Sequence, residues 1–377
     1  MKKKAYKYRF YPTDEQALLL AKTFGCVRFV YNNILQQRTD IFYKDGTSVN
    51  YNAASKMLTE LKKNPEFDWL KEVASVALQQ SLRHQQTAFT NFWDKRTKYP
   101  TFKKKNHRQS FSLVGTAFRY RENKIFIPKC KEPLNIRWSQ ALPSEPSTIV
   151  ISKDAANRYF ISCLCEVEIK PMPISAKQVG IDLGLTDLYI TSDGFKSGNP
   201  RHFKKYQAKL ALLQRSLARK KKGSNNRAKA RLKVARLHAK IADSRKDATH
   251  KATRRLINEN QVVYVENLAV KNMIKNPKLA KHIADANWGE MLRQLKYKGS
   301  WAGREIVEID RFFPSTKRCS EAGCGFIHDH LPLSVRHWTC PSCGTLHDRD
   351  INAAKNIKTA GQAVLASGAI GAGLKAT

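Results

Sequence analysis

Three carboxylates stand where a charged side chain has no evident structural task. Asp182 interrupts the apolar run Gln178-Val179-Gly180-Ile181-Asp182-Leu183-Gly184, Glu266 closes the run Val262-Val263-Tyr264-Val265, and Asp350 stands where His347-Asp348-Arg349-Asp350 enters a helical pattern. Each has an ordinary explanation taken singly: a turn neighbour, a strand end, and an anion favoured by a helix dipole. Together they imply more. A hairpin strand, a second strand and a helix start can bring three carboxylates to one end of a sheet, where they repel unless hard cations bind them. Two Mg²⁺ ions about 3.5–4 Å apart on such oxygens clamp a phosphodiester, activating the attacking water and stabilising the leaving oxygen. Asp348 competes with Asp350 for the third position, because only one of the two can face inward from a helix start.

A second constellation suits a different metal. Cys319 and Cys324, then Cys340 and Cys343, form two close pairs separated by fifteen residues, each pair followed by glycine (Gly325, Gly344). Four thiolates at this spacing suit tetrahedral Zn²⁺, and a closed sulfur shell makes that zinc structural. His328, His330, His337 and His347 read as surface residues or nucleic-acid contacts. Cys26, Cys130, Cys163 and Cys165 sit in apolar surroundings and read as small core residues.

The elements that must position these groups follow from pattern. Gln178–Asp182 is a strand, and a turn at Gly184–Thr186 leads into Leu188–Thr191 as a hairpin; Gln261–Val265 and Ile306–Ile309 are two further strands. Ile351–Lys358 is a helix, and Gly361–Thr377, rich in Gly and Ala, reads as a disordered tail. Between the hairpin and Gln261–Val265, residues 201–255 hold 20 Lys and Arg against Asp243 and Asp247 alone. Leu210, Leu213 and Leu217, then Val234, Leu237 and Ile241, give two helices with narrow apolar stripes, separated at Gly223-Ser224-Asn225-Asn226. With so little acid to pair those cations, the surface is expected to face phosphate.

The first 170 residues read differently. Residues 4–11 alternate as a strand, and Thr13 with Gln16 has the spacing of a capping box that starts a helix, with Gly25 a break in it. Helical pattern continues over 51–62 and 72–97. From 109 to 168 the chain is β-rich: Phe111–Val114, Lys124–Ile127, Leu134–Trp138, Thr148–Ser152 and Tyr159–Val167, as in a small barrel or sandwich that the opening strand could join. Aromatic and basic residues interleave at Tyr6–Tyr11 and Trp93–Lys105, a pattern shared by base-stacking surfaces and half-buried strands.

Composition sets the outer bounds. The 377 residues are 42% hydrophobic, enough for real cores and for two or three domains, and carry a formal net charge of +37. Such a surplus repels itself in a compact state and points to a polyanionic partner. No run of about 18 apolar residues exists to span a bilayer, so no membrane role is expected. The start, Met1-Lys2-Lys3-Lys4-Ala5-Tyr6, lacks the apolar core of a secretory signal, which points to a cytoplasmic, nucleoid-associated protein.

Several of these segments, in this order, resemble the TnpB family, the transposon-encoded RNA-guided DNA endonucleases related to type V CRISPR effectors. The resemblance rests on Gly180-Ile181-Asp182-Leu183-Gly184, Val265-Glu266-Asn267-Leu268, Phe313-Pro314-Ser315-Thr316-Lys317, the paired cysteines, and His347-Asp348-Arg349-Asp350-Ile351-Asn352-Ala353-Ala354. Looser likenesses in the first half are Tyr11-Pro12-Thr13, Val27-Arg28-Phe29-Val30-Tyr31-Asn32 and Tyr99-Pro100-Thr101-Phe102-Lys103.

The resemblance implies an α+β multidomain chain. Its RNase H-like (RuvC-type) nuclease core would occupy 175–318 and 346–360, with a zinc ribbon inserted at 319–345. A β-barrel wedge domain would occupy 1–12 and 100–170 and carry a helical recognition domain at 13–99. It places the catalytic, Mg²⁺-binding carboxylates on Asp182, Glu266 and Asp350, and the structural zinc on Cys319, Cys324, Cys340 and Cys343. It implies a guide RNA from the transposon end and a double-stranded DNA target beside a short motif; the oligomeric state is not given by the sequence, and a monomer is expected. The first cysteine pair departs from the family by having four intervening residues instead of two. Two other functions compete: a guide-dependent DNA-binding regulator that no longer cuts, and a transposase acting without a guide. Retention of all three carboxylates ranks the nuclease first.

Overall fold

The computed structural model describes residues 1–368. Two compact units divide it, Met1–Glu168 and a second from Ile169 onward.

The first unit opens with β1 (Lys2–Tyr11), followed by three helices, α1 (Asp14–Asp45), α2 (Tyr51–Lys63) and α3 (Ser75–Trp93). Six short strands complete it: β2 (Gln109–Val114), β3 (Arg119–Arg121), β4 (Lys124–Phe126), β5 (Asn135–Arg137), β6 (Thr148–Lys153) and β7 (Tyr159–Val167). The expected capping box starts α1, with Gln16 N donating to Thr13 Oγ1 and Thr13 N to Gln16 Oε1. Gly25 does not break that helix. A lone helical glycine costs only about 1 kcal/mol against alanine, and its neighbours Phe24, Cys26 and Val27 are all buried. β1 pairs antiparallel with β7 on one side and β5 on the other, in a sheet ordered β2-β6-β7-β1-β5. The helices are thus inserted between the first strand and its neighbours. This sheet has β2 and β5 as edges. Cys26, Cys163 and Cys165 are buried as expected, whereas Cys130 is half-buried in a turn, with its sulfur on the Glu132 carbonyl.

The second unit begins with β8 (Gln178–Asp182) and β9 (Ile190–Thr191), an antiparallel pair. The basic helices α4 (His202–Ala218) and α5 (Asn225–Glu259) follow, then β10 (Val262–Val265). Next come α6 (Val270–Met273), α7 (Ala280–Ala286), α8 (Trp288–Ala302) and β11 (Glu305–Glu308); β12 (His337–Thr339), β13 (Leu346–Asp348) and α9 (Arg349–Ala366) end it. The sheet order is β11-β10-β8-β9, with β10 parallel to both β8 and β11. All four residues of β10 are buried, as a strand covered on both faces requires. Alternation divides them. Val263 and Val265 join a core with Leu256, Trp288, Met291 and Leu295 from α5 and α8, while Val262 and Tyr264 pack with Val307, Ile309 and Ile357 toward α9.

Two glycines let α9 lie against this second face. A Cβ on Gly180 would fall within 2.7 Å of the Lys358 nitrogen and still closer to the Ala354 carbonyl. One on Gly361 would meet the ring of Tyr264. Residues 361–366, expected as disordered tail, are therefore the last turns of α9, with Gly361 buried against the sheet. The remainder of that expected tail, 369–377, lies outside the described residues.

Candidate active site and metal centre

Asp182 ends β8 and is buried, Glu266 follows the last residue of β10, and Asp350 lies in the first turn of α9. Adjacent parallel strands bring the first two to one sheet end, and the close approach of α9 at Gly180 brings the third. Asp182's carboxyl is pushed up to about 8, first by burial and then by the charges of Glu266 and Asp350; Arg349 and Arg336 oppose the shift. Burial likewise raises Glu266, against a lowering hydrogen bond from Ser315, whose Oγ donates to Glu266 Oε1 at 2.8 Å. Arg336 Nη1 lies 3.5 Å from Asp350 Oδ1.

Asp348 faces different partners. Its Oδ1 accepts from the backbone N–H groups of Asp350 and Ile351, capping α9, and its Oδ2 pairs with Lys196 Nζ at 2.6 Å. These contacts, with the helix amides and Lys196, hold its carboxyl below the usual range despite partial burial. Of the two competitors at the helix start, Asp350 therefore acts on Asp182, while Asp348 serves the helix and the hairpin loop.

Ser315 was not singled out as a site residue, nor were Asn352 and Asn356, which anchor the same region. Asn356 Nδ2 donates to the carbonyls of Ser315 and Arg318, and Asn352 receives Ser320 N–H while donating to Arg318 O. One helix thereby carries Asp350 and fixes the segment that holds Glu266. The asparagines' spacing of four residues, one helical face, was the available signal.

That segment leads directly into the cysteines. The Sγ atoms of Cys319, Cys324, Cys340 and Cys343 all lie within 4.8 Å of one another. Sulfurs at about 2.3 Å from a tetrahedral Zn²⁺ stand roughly 3.8 Å apart, and here Cys319–Cys343 measures 3.7 Å and Cys324–Cys340 3.6 Å. The donor set and its spacing fit zinc. The four-residue gap between Cys319 and Cys324 is absorbed by a turn with Gly323 in the left-handed region. His347, expected at the surface, is instead buried, with Nε2 3.0 Å from Cys319 Sγ and its ring 4.6 Å from Trp338. His328 meets the same Trp edge-on at 4.6 Å. Phe326, Leu331 and Val335 complete this small core.

The basic helices pair through Leu210, Leu237 and Ile241, with Phe203, Tyr206, Leu213 and Val234 around them. Their cations are largely exposed; carboxylates reach Arg245, Lys251 and Arg255. Among the described residues no helix is long and apolar enough to cross a membrane.

Comparison with known proteins assigns the chain to a family. Family models described as "Probable transposase" and "Cas12f1-like, TNB domain" match residues 161–277 and 288–357. A Streptomyces pristinaespiralis protein named "Putative RNA-guided DNA endonuclease" is 52% identical over 97% of this chain and 91% of its own length. The chain belongs to the TnpB family. A second TnpB-family relative, "Putative RNA-guided DNA endonuclease InsQ" of Escherichia coli K12, is 33% identical over 97% of this chain and 94% of its own. A solved Cas12f1-sgRNA-target DNA complex shares the fold, with a TM-score of 0.55 at 15% identity, covering 95% of this chain and 98% of that one. A model described as "Helix-turn-helix domain" matches residues 1–47. Those residues form one strand and one unbroken helix, so any turn-separated helix pair must involve α2 or α3.

Proposed function

We propose that this TnpB-family chain is an RNA-guided DNA endonuclease whose RuvC-type core uses Asp182, Glu266 and Asp350. The observation that carries the reading is the convergence of three carboxylates. Asp182 and Glu266 lie at one end of adjacent parallel strands, the close approach of α9 brings Asp350, and the charges of Glu266 and Asp350 both raise the pKa of the buried Asp182. Like charges held together away from water form a costly arrangement unless cations bind between them. Two Mg²⁺ ions on these oxygens would activate the attacking water and stabilise the leaving oxygen. The chain's own contributions are positional. Ser315 fixes the Glu266 oxygen, the α9 cap sets Asp350, and Arg336 supplies positive charge beside the site for an incoming phosphate.

The remaining assignments rest on the family. The guide RNA comes from the end of the transposon, and a short motif marks the double-stranded target. Guide–target pairing supplies sequence specificity, and the protein reads duplex shape and motif. The sheet strands within 1–12 and 100–170 act as the wedge domain, the helices of 13–99 as the recognition domain, and 319–345 as a ribbon around structural zinc. Relatives named RNA-guided DNA endonucleases, at 52% and 33% identity, support this reading.

The test is plasmid cleavage by protein co-expressed with its flanking RNA, on a matched target beside a randomised motif, with Mg²⁺ or EDTA. Cutting that needs the RNA, the match, Mg²⁺ and Asp182 is the expected result. Guided binding without cutting by the wild type would sink the endonuclease reading in favour of a regulator.

A further inference from the structure

The function above gives no individual role to the aromatic and basic run Trp93-Asp94-Lys95-Arg96-Thr97-Lys98-Tyr99. In the first unit its two ends, Trp93 and Tyr99, wall a cavity of about 290 Å³ together with the end of α1. Phe42, Tyr43, Phe92, Trp93 and Tyr99 line this cavity, with Arg38 beside them. Tyr43 is 83% exposed and Trp93 49%. Aromatics gathered around one opening, rather than scattered singly, mark a surface built to be covered.

Several contacts hold the lining residues in place. The Tyr99 hydroxyl lies 2.8 Å from Thr39 Oγ1, and its ring meets Phe92 edge-on at 5.3 Å and 82°. Arg38 is buried, its guanidinium 4.0 Å from the Phe89 ring centroid. Three of its N–H groups donate to Gln85, Gln86 and the Val49 carbonyl. Arg38 also lines the cavity, and among the described residues no carboxylate pairs with it. Near the lining residues in sequence, Lys44, Lys95 and Lys98 are exposed, as are Asp45 and Asp94. Flat walls and a buried cation without a carboxylate partner match an electron-rich planar ring on a phosphate backbone.

We infer that this cavity takes an unpaired nucleobase of RNA, stacked against Trp93 and Tyr43. RNA is the source because folded RNA displays unpaired bases in loops and bulges before any target is met, whereas target DNA exposes them only after the guide has opened the duplex. The inference rests on the RNA-binding part of the proposed function and needs no cutting.

The experiment uses the full chain in EDTA and a fluorescein-labelled single-stranded RNA of about 12 nucleotides, within the usual reach of such surfaces. Anisotropy is read at about 0.3 M salt, where backbone contacts are screened. The expected result is that Tyr43→Ala with Trp93→Ala weakens RNA binding about tenfold. Tyr43→Phe with Trp93→Phe should keep it, and all three proteins should melt together. A 4-thiouridine probe should crosslink to the peptides carrying Tyr43 or Trp93. Unchanged affinity in the alanine pair, or equal loss in the phenylalanine pair, overturns the inference. So does an equal loss for the same sequence as single-stranded DNA. A change in sedimentation with RNA affinity intact would make the patch an interface between copies and also overturn it. A chain that binds RNA through the cage but never cuts leaves this inference standing and removes the endonuclease; a cutting chain indifferent to the cage does the reverse.

Discussion

The hydroxyl of Ser315 donates to Glu266 Oε1 at 2.8 Å, joining the segment before the cysteine cluster to the carboxylate at the end of β10. This bond lowers a Glu266 pKa that burial raises. Ser315→Ala should therefore raise it further and move the acid limb of the cleavage pH profile upward. A hydrogen bond to a charged group is worth about 1.5–3 kcal/mol, so kcat/KM at neutral pH should fall roughly tenfold to a hundredfold. A profile that keeps its acid limb would show that Ser315 does not tune Glu266.

Asp348 and Asp350 are two residues apart and should separate cleanly by mutation. Asparagine is as good a helix cap as aspartate, so Asp348→Asn should keep α9 and lose only the charge pairing with Lys196 and His337. Most cleavage activity should survive. Asp350→Asn should abolish cutting while guide RNA binding persists. Equal loss in both variants, measured on the same plasmid, would remove the distinction between cap and site.

Gly180 and Gly25 make a matched pair of tests. Alanine at 180 would collide with the α9 backbone at Ala354 and Lys358, and overpacking of this kind costs about 1–3 kcal/mol. The melting temperature should fall and activity with it, because Asp350 rides on α9. Alanine at 25 meets nothing within 4 Å in a continuous helix, and should stabilise by up to about 1 kcal/mol. Denaturant midpoints moving the same way in both variants would contradict this packing.

These positions also show what could be read in the residue order. The strands carrying Asp182 and Glu266 were legible because buried parallel strands leave continuous apolar runs. The thiolate pairs were legible because zinc fixes their spacing. The reason for Gly180 was not, since a glycine in a strand does not say which backbone will cross it. Which of Asp348 and Asp350 caps the helix was not either, because a two-residue offset is decided by capping bonds made only in the fold. The end of α9 was misread for a related reason: Gly361 looks like a helix breaker until Tyr264 is seen beneath it. His347 was misread because surface and core histidines look alike until Trp338 packs on them.

Metal analysis should find one Zn²⁺ per chain, falling well below one in Cys340→Ser. Structural zinc contributes folding energy directly, so a strong chelator should lower the melting temperature and change the near-ultraviolet signal of Trp338. Cutting should fall as well, because Asn352 and Asn356 tie the base of the ribbon to the helix bearing Asp350. Full activity in a zinc-free chain would disconnect the ribbon from the site.

The raised pKa of Asp182 makes a signed prediction. In the metal-free protein its folded value of about 8 lies above the ordinary 3.8, so between those limits the native state binds the extra proton. Stability then falls as pH rises through that window, because ionising the buried carboxyl beside Glu266 and Asp350 is unfavourable. Asp182→Asn removes the penalty. In EDTA it should melt above the wild type at pH 8, with the gap closing toward pH 4. Mg²⁺ should raise the wild-type melting temperature more at pH 8 than at pH 5, where it must displace the proton, and should do little for Asp182→Asn. Parallel melting curves for the two proteins across this range would mean that Asp182 is ionised at little cost, and the carboxylates would not then form one electrostatic unit.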